Sequence, residues 1–329
     1  MSGGASRSAL ADVVRRFRDH AGRRAKASIG LVAEALGPTD WLRGPGDDAA
    51  VVGEGSDGFT LAAGEAIWQP FVEADPRGAG TAAVVANVND IAAMGGRALG
   101  LVDTIVGPER IARPVLEGMR YAADLYRVPV VGGHLTVRDG PPALSAFIVG
   151  RAVKILASSN ARPGLVVLVA ASIDGSLHRD FPFFSSLRER ADHLAGDVEV
   201  LPSLAEQGWC LAAKDVSMAG LLGSLAMLLE PTRSGIVADI AAIPRPADVP
   251  IATWMDVFPS FGFVLCAPED HVDDCRDAFT ERGLACEAIG VLDGSGQLRA
   301  GLEDEEALLL DIAREGVTGL GDVDGRAGT

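Results

Sequence analysis

The run Ala86-Asn87-Val88-Asn89-Asp90-Ile91-Ala92-Ala93-Met94-Gly95-Gly96 constrains this chain more than any other stretch. From Thr81 onward, Val84, Val85, Val88, Ile91 and Ala92 recur at helical spacing, so one face belongs to a core. The small side chains predict a buried helix, and Gly95-Gly96 supplies a natural C-terminal cap. A carboxylate one turn before that cap is electrostatically misplaced, by about 0.3–1 kcal/mol, because a helix C-terminus carries partial negative charge. Folding alone asks for no acid at Asp90. Asn87, three residues earlier, shares its face and offers a neutral oxygen. The pair reads as one wall of a divalent-metal site.

At 329 residues the chain exceeds the usual single domain, which predicts two domains of roughly 150 residues each. Apolar residues make up 48% and aromatics only 5%, so the cores are built from Ala, Val and Leu, as in α/β proteins. Leu10, Val13, Val14 and Phe17 line one helical face opposite Arg15, Arg16 and Arg18, and Arg23, Arg24 and Lys26 follow. This basic arm, residues 1–27, is either a solvated helix face or a segment that closes over a phosphate. A first domain is expected over 28–155, a linker near 155–164, a second domain over 160–315 and a frayed tail over 316–329. Strands are expected at 49–53, 59–63, 98–106, 128–131 and 144–152, with helices at 79–94 and 109–126. Beyond the linker, strands are expected at 165–171, 235–240, 261–267 and 285–292, and helices near 183–194, 217–229 and 269–283.

A net charge of −16 disfavours nucleic acid and anionic membranes as partners. It does not disfavour ATP, because magnesium can bridge phosphates to carboxylates. Cys210, Cys266, Cys275 and Cys286 show no CxxC pairing and read as buried thiols of a reducing compartment. Arg15-Arg16 leads into no apolar leader segment, and Val216–Leu229 is short for a membrane span of about 20 residues. A soluble, cytoplasmic protein is expected.

Four segments of the first half could converge on one metal-phosphate site. In Arg43-Gly44-Pro45-Gly46-Asp47-Asp48-Ala49, a glycine turn permits close backbone approach, and two acids precede an apolar strand. Strand alternation sends Asp47 and Asp48 to opposite faces, so one of them is expected to hold metal. Glu65 ends the strand Leu61–Gly64, as acids commonly do. Asn87 and Asp90 are the third segment. In the fourth, Gly132-Gly133 interrupts an apolar strand before His134, a ligand or acid/base. In the second half, Asp215 and Ser217 precede an apolar helix, as caps or as part of a phosphate or metal site. No P-loop, dinucleotide fingerprint, nucleophile elbow or zinc motif occurs.

In this order the segments resemble the superfamily of aminoimidazole ribonucleotide synthetase, selenophosphate synthetase, thiamine-monophosphate kinase and the hydrogenase-maturation dehydratase. Gly46-Asp47-Asp48-Ala49-Ala50-Val51 is similar to the family's strand start. Val88-Asn89-Asp90-Ile91-Ala92-Ala93-Met94-Gly95 resembles its Val-Asn-Asp-Leu-Ala-Ala-Met-Gly helix. Gly132-Gly133-His134, Asp215-Val216-Ser217 with Gly220-Leu221-Leu222-Gly223, and Phe258–Val264 match further motifs. The nearest resemblance is to the AIR synthase-related branch. It implies an α/β (α+β) PurM-like fold of two domains, the first forming half of a dimeric β-barrel and the second an α/β sandwich. It also implies a homodimer that binds ATP and Mg2+ and acts on a small-molecule substrate. Metal would lie on Asp47, Glu65 and Asp90, and nucleotide near Lys26, Gly46, Asp48, Asn87, Asn89, Gly132 and Gly133. Asp90, His134 and Asp215 would do the chemistry.

The chain departs from the family at several points. Glu65 replaces an aspartate, Met218 replaces a second acid of the kinases, and His134 replaces an aspartate found in many members. No cysteine lies in the N-terminal arm, and none follows Cys286. Met218 argues against thiamine-monophosphate kinase activity, the lack of an N-terminal cysteine against selenophosphate synthesis, and the lack of a cysteine after Cys286 against dehydratase activity. Acceptor specificity is expected in the loop Ser172–Phe184, where His178 and Arg179 could meet an anionic group or merely edge a surface hairpin.

Overall fold

The computed structural model describes residues 3–37 and 46–320, with side chains from residue 9 onward. Helix α1 (Gly3–Asp19) opens the chain, and two long helices, α2 (Pro76–Ala93) and α3 (Glu109–Tyr126), pack on a first sheet of five strands. The strands are β1 (Ala50–Gly55), β2 (Gly58–Ala66), β3 (Gly96–Gly107), β4 (Val130–Val137) and β5 (Ala143–Ala152), in the spatial order β1-β2-β5-β3-β4. All neighbours are antiparallel except β3 and β4. Strand β5 alternates strictly: Leu144, Ala146 and Ile148 are buried beneath α2, whereas Phe147 and Val149 are exposed. Val52, Val102 and Val131 are exposed as well. The sheet does not close on itself, and within one chain it leaves an apolar face open.

The helix α2 can lie flat because its side chains are small. At its crossing with α3, a Cβ on Gly80 would fall 2.1 Å from the Val115 carbonyl oxygen, and one on Gly118 would fall 2.0 Å from that of Arg77. Gly95, at φ +73°, ends the helix as the sequence predicts.

The second domain holds β6 (Val166–Ala171), β7 (Ala212–Asp215), β8 (Ile236–Asp239), β9 (Gly262–Ala267), β10 (Ala285–Val291), β11 (Gln297–Leu302) and β12 (Glu305–Asp311). An antiparallel sheet runs β10-β6-β9-β7, and a smaller one runs β8-β11-β12. Every residue of β6 is buried because both faces are covered. Val167 and Val169 join a core with helix α5 (Gly220–Leu229), and Leu168 and Ala170 join one with α4 (Val200–Gln207) and α6 (Val272–Thr280). Leu10, Val13 and Phe17 of α1 enter the first of these cores, so the N-terminal helix is a packed part of the second domain. Val317 and Thr318 are also buried, their N–H groups donating to Glu230, while residues 321–329 and 38–45 lie outside the described residues.

Two expectations are corrected. Residues 183–194 do not form one helix: Phe183–Ser185 is a short strand paired in parallel with Phe258-Pro259, and the helix there is only Leu194–Asp197. The two adjacent phenylalanines favour a strand and are both buried. Strand β4 continues through Gly132-Gly133 to Val137, because an edge strand tolerates glycines that would weaken a central one.

The close crossing of α2 and α3 generates a prediction. Gly118→Ala should lower unfolding free energy by about 1–3 kcal/mol in urea titrations through overpacking. Gly294→Ala, where an added Cβ meets nothing within 4 Å, should change it little.

Candidate active site

The two domains meet at a group of carboxylates. Asp48 stands just before β1, Glu65 near the end of β2, Asp90 in the last turns of α2, and Asp215 at the end of β7. Carboxylate oxygens of Asp48, Asp90 and Asp215 lie within 4.8 Å of one another. The donors are all oxygen, the chemistry that suits magnesium and other hard divalent ions. Asp90 and Asp215 are 5% and 6% exposed. Among the described residues their carboxylates accept no hydrogen bond. Buried acids of this kind are normally paired or bound to a metal. Like charges 4 Å apart repel by about 4 kcal/mol at an effective dielectric near 20.

The electrostatics follow. Burial, reinforced by Asp215, Glu65 and Asp48, holds the Asp90 carboxyl well above the usual carboxylate range. Burial and Asp48 push Asp215 up to about 8. Glu65 is raised by burial and partly relieved by Lys26. Lys26 also lowers Asp215, so the basic arm, after crossing the second domain, returns an ammonium group to the cluster. Arg16 anchors that arm on Asp256 at 2.8 Å, and the Arg23 guanidinium stacks 4.7 Å from the Phe17 ring centre.

Of the adjacent acids before β1, Asp48 is the one in the cluster. Its Oδ2 accepts the Asp215 backbone N–H at 2.9 Å, and its Oδ1 pairs with the Lys214 ammonium. Asp47 points elsewhere, its Oδ1 accepting the Ser158 backbone N–H at 2.8 Å and the Ser158 hydroxyl. Burial raises its pKa and the Ser158 bonds oppose the rise. The Gly46 carbonyl receives Lys214 Nζ at 3.4 Å, while Arg43, Gly44 and Pro45 lie outside the described residues. Asn87 donates to the Ala83 carbonyl and leaves its buried Oδ1 without a partner. Asn89 turns to the second domain and donates to the Ser260 carbonyl at 3.1 Å.

Gly132, Gly133 and His134 stand apart from the cluster on the edge strand β4. His134 is exposed, its Nε2 3.1 Å from Thr136 Oγ1. In the register across the sheet, Glu65, Ala146, Asp103 and Gly133 form one row. Ser217 leaves its buried hydroxyl unpaired while its N–H meets Ser224 Oγ at 3.0 Å. Met218 is exposed at the start of the turn into α5. The loop Ser172–Phe184 forms a small hairpin against the first domain: His178 Nε2 lies 3.3 Å from Asp75 Oδ2, and the ring packs among Phe71 and Phe181.

Two buried charged residues, one in the cluster and one outside it, carry no obvious sequence signal. Lys214 hides in a four-residue strand whose every member is buried. Asp103 is nine-tenths buried on β3, its carboxyl raised by burial and set where a Gly133 side chain would be. An acid or lysine inside an apolar segment is the pattern that finds both.

A two-domain α/β protein with a buried, all-carboxylate cluster at the domain junction is the class this fold and site define. The chain belongs to the AIR synthase related family: the N-terminal domain of that family matches residues 46–152 and the C-terminal domain residues 150–303. It is 33% identical over 277 residues to an uncharacterized protein of Synechocystis, covering 83% of this chain and 86% of that one. It is 27% identical over 265 residues to the selenide, water dikinase of Myxococcus xanthus, covering 73% of each. The structure of AaThiL complexed with AMPPCP and TMP superimposes with a TM-score of 0.65 at 17% identity, over 84% of this chain and 92% of that one. Among the described residues no helix is long and apolar enough to cross a membrane.

The raised acids fix a pH dependence. Asp215, at about 8 when folded against 3.8 for an ordinary aspartate, binds more protons in the native state throughout that interval. The Asp215 contribution to native stability therefore falls as pH rises from about 4 to about 8. In chelator, the melting temperature should drop across this window, and Asp215→Asn should flatten the drop.

Proposed function

We propose that the chain is an ATP- and magnesium-dependent phosphoryl-transfer enzyme, kinase-like or synthetase-like, acting on a small metabolite. The observation that carries this reading is the convergence of Asp48, Asp90 and Asp215, from three segments and both domains, within 4.8 Å. Asp90 and Asp215 would hold magnesium, with Asp48 at the edge of the cluster paired to Lys214, Glu65 beside them and Asp47 bracing the turn through Ser158. Magnesium bound there supplies charge neutralisation on the transferring phosphoryl group, and catalysis is then mainly positioning. Lys26 brings a further positive charge to the phosphates, and Gly132-Gly133 leaves β4 bare where nucleotide would approach. Asn87 Oδ1 offers a buried acceptor with no other partner. The terminal phosphoryl group would pass from ATP to an oxygen of the acceptor, the bond from its phosphorus to the bridging oxygen breaking as the new one forms, with ADP and the acceptor's proton released. The curated kinase relative and the AMPPCP complex of a structural neighbour support ATP as donor.

The open face of the first sheet supports a homodimer, since Phe147, Val149, Val102 and Val131 form an apolar strip that a soluble monomer seldom exposes. His134, which shares that face, would then stand at the junction and contact phosphate or carry a proton. A nucleotide-binding partner or sensor without turnover is the second reading, favoured by Met218 and by the engagement of Asp48 with Lys214. ADP release on a panel of hydroxyl and carboxyl metabolites separates the two.

Two outcomes are expected. A non-hydrolysable ATP analogue at about 100 times its Kd should add roughly 2.7 kcal/mol of stability. The gain should appear as a rise in melting temperature only with magnesium, and Asp90→Asn should remove it. No rise with or without magnesium sinks the ATP reading. Phe147→Glu combined with Val149→Glu should halve the mass seen by light scattering, and an unchanged mass would contradict the proposed interface.

A further inference from the structure

We propose that Lys214 is a built-in cation of the carboxylate cluster, an ammonium group standing where a divalent ion would otherwise bind Asp48. The inference rests on reading the cluster as a cation site. Asp90 carries that premise independently of the clustering itself: it is 5% exposed, accepts no hydrogen bond among the described residues, and faces the oxygens of Asp48 and Asp215.

Lys214 itself is 5% exposed. Its Nζ pairs with Asp48 Oδ1 and lies 3.4 Å from the Gly46 carbonyl oxygen, so two oxygens of one turn surround the cation. Asp48 Oδ2 is meanwhile taken by the Asp215 N–H at 2.9 Å. Each oxygen of Asp48 thus already has one partner from the second domain, whereas the carboxylates of Asp90 and Asp215 have none among the described residues. Burial works against the ammonium, yet Asp48 and Asp215 outweigh it and hold Lys214 charged. The groups facing it from the surrounding elements are carboxylates: Asp47 and Asp48 before β1, Glu65 on β2, Asp90 on α2, and Asp215 beside it. A lysine thereby does two jobs. It joins the domains without metal, and it lowers the number of divalent ions the cluster takes.

Counting bound Mn2+ by the loss of the free-ion electron paramagnetic resonance signal, with the non-hydrolysable ATP analogue present, tests this on the full chain. Lys214→Met and Lys214→Gln should each bind one Mn2+ more than wild type, or the same number with at least tenfold lower Kd. Lys214→Arg, which keeps the charge, should match wild type. The proposal is overturned if both neutral variants bind Mn2+ as wild type does. It is equally overturned if both stay unfolded at every Mn2+ concentration, because an ion able to replace the lysine would rescue them. If wild type and variants alike bind no Mn2+, the cation reading of the cluster fails as well, whereas equal binding by all four proteins removes only the role of Lys214.

Discussion

Burying several carboxylates side by side is unfavourable unless cations accompany them, and the architecture around Asp48, Asp90 and Asp215 answers that constraint. The acids come from the start of one edge strand, the end of a central helix and the tip of a strand in the other domain. None of these elements could hold the cluster alone. Lys214 and Lys26 supply the cations the chain carries itself, the first from the second domain and the second from the arm that packs upon it. The cluster therefore lies within the domain junction. Anything that changes the charge at one changes the fit of the other.

The junction is reinforced away from the cluster by contacts that do not depend on its charge. Asn89 and Tyr126 both reach the Ser260 carbonyl. Arg97 of β3 reaches Glu199 at 2.7 Å and also pairs with Glu206 of α4. These ties fix the helix that carries Asp90 against the sheet that carries Asp215, so their carboxylates are held close despite mutual repulsion. Pre-set repulsion of this kind favours a site that binds a cation over one that merely tolerates it.

Much of the fold was legible because it rests on local patterns. The helix Glu109–Tyr126 follows directly from apolar periodicity, and the misplaced charge of Asp90 pointed to chemistry before any geometry was known. What escaped depends on long-range contacts. Alternation shows that Asp47 and Asp48 diverge, but only the packed second domain decides that Asp48 faces Asp215 and that Asp47 faces Ser158. Lys214 follows apolar residues in its strand, and only the packing of the two domains shows that its ammonium meets the Gly46–Asp48 turn. His134 follows a glycine pair that suggested proximity to the metal ligands, yet the parallel pairing of β4 with β3 places it on the outer edge of the sheet.

The most direct test of the central claim is an anomalous diffraction map from crystals grown with Mn2+ and a non-hydrolysable ATP analogue. The account predicts an ion bonded to the carboxylates of Asp90 and Asp215 and to phosphate oxygens, at about 2.0–2.2 Å. Nucleotide bound with no ion at these two aspartates would contradict it.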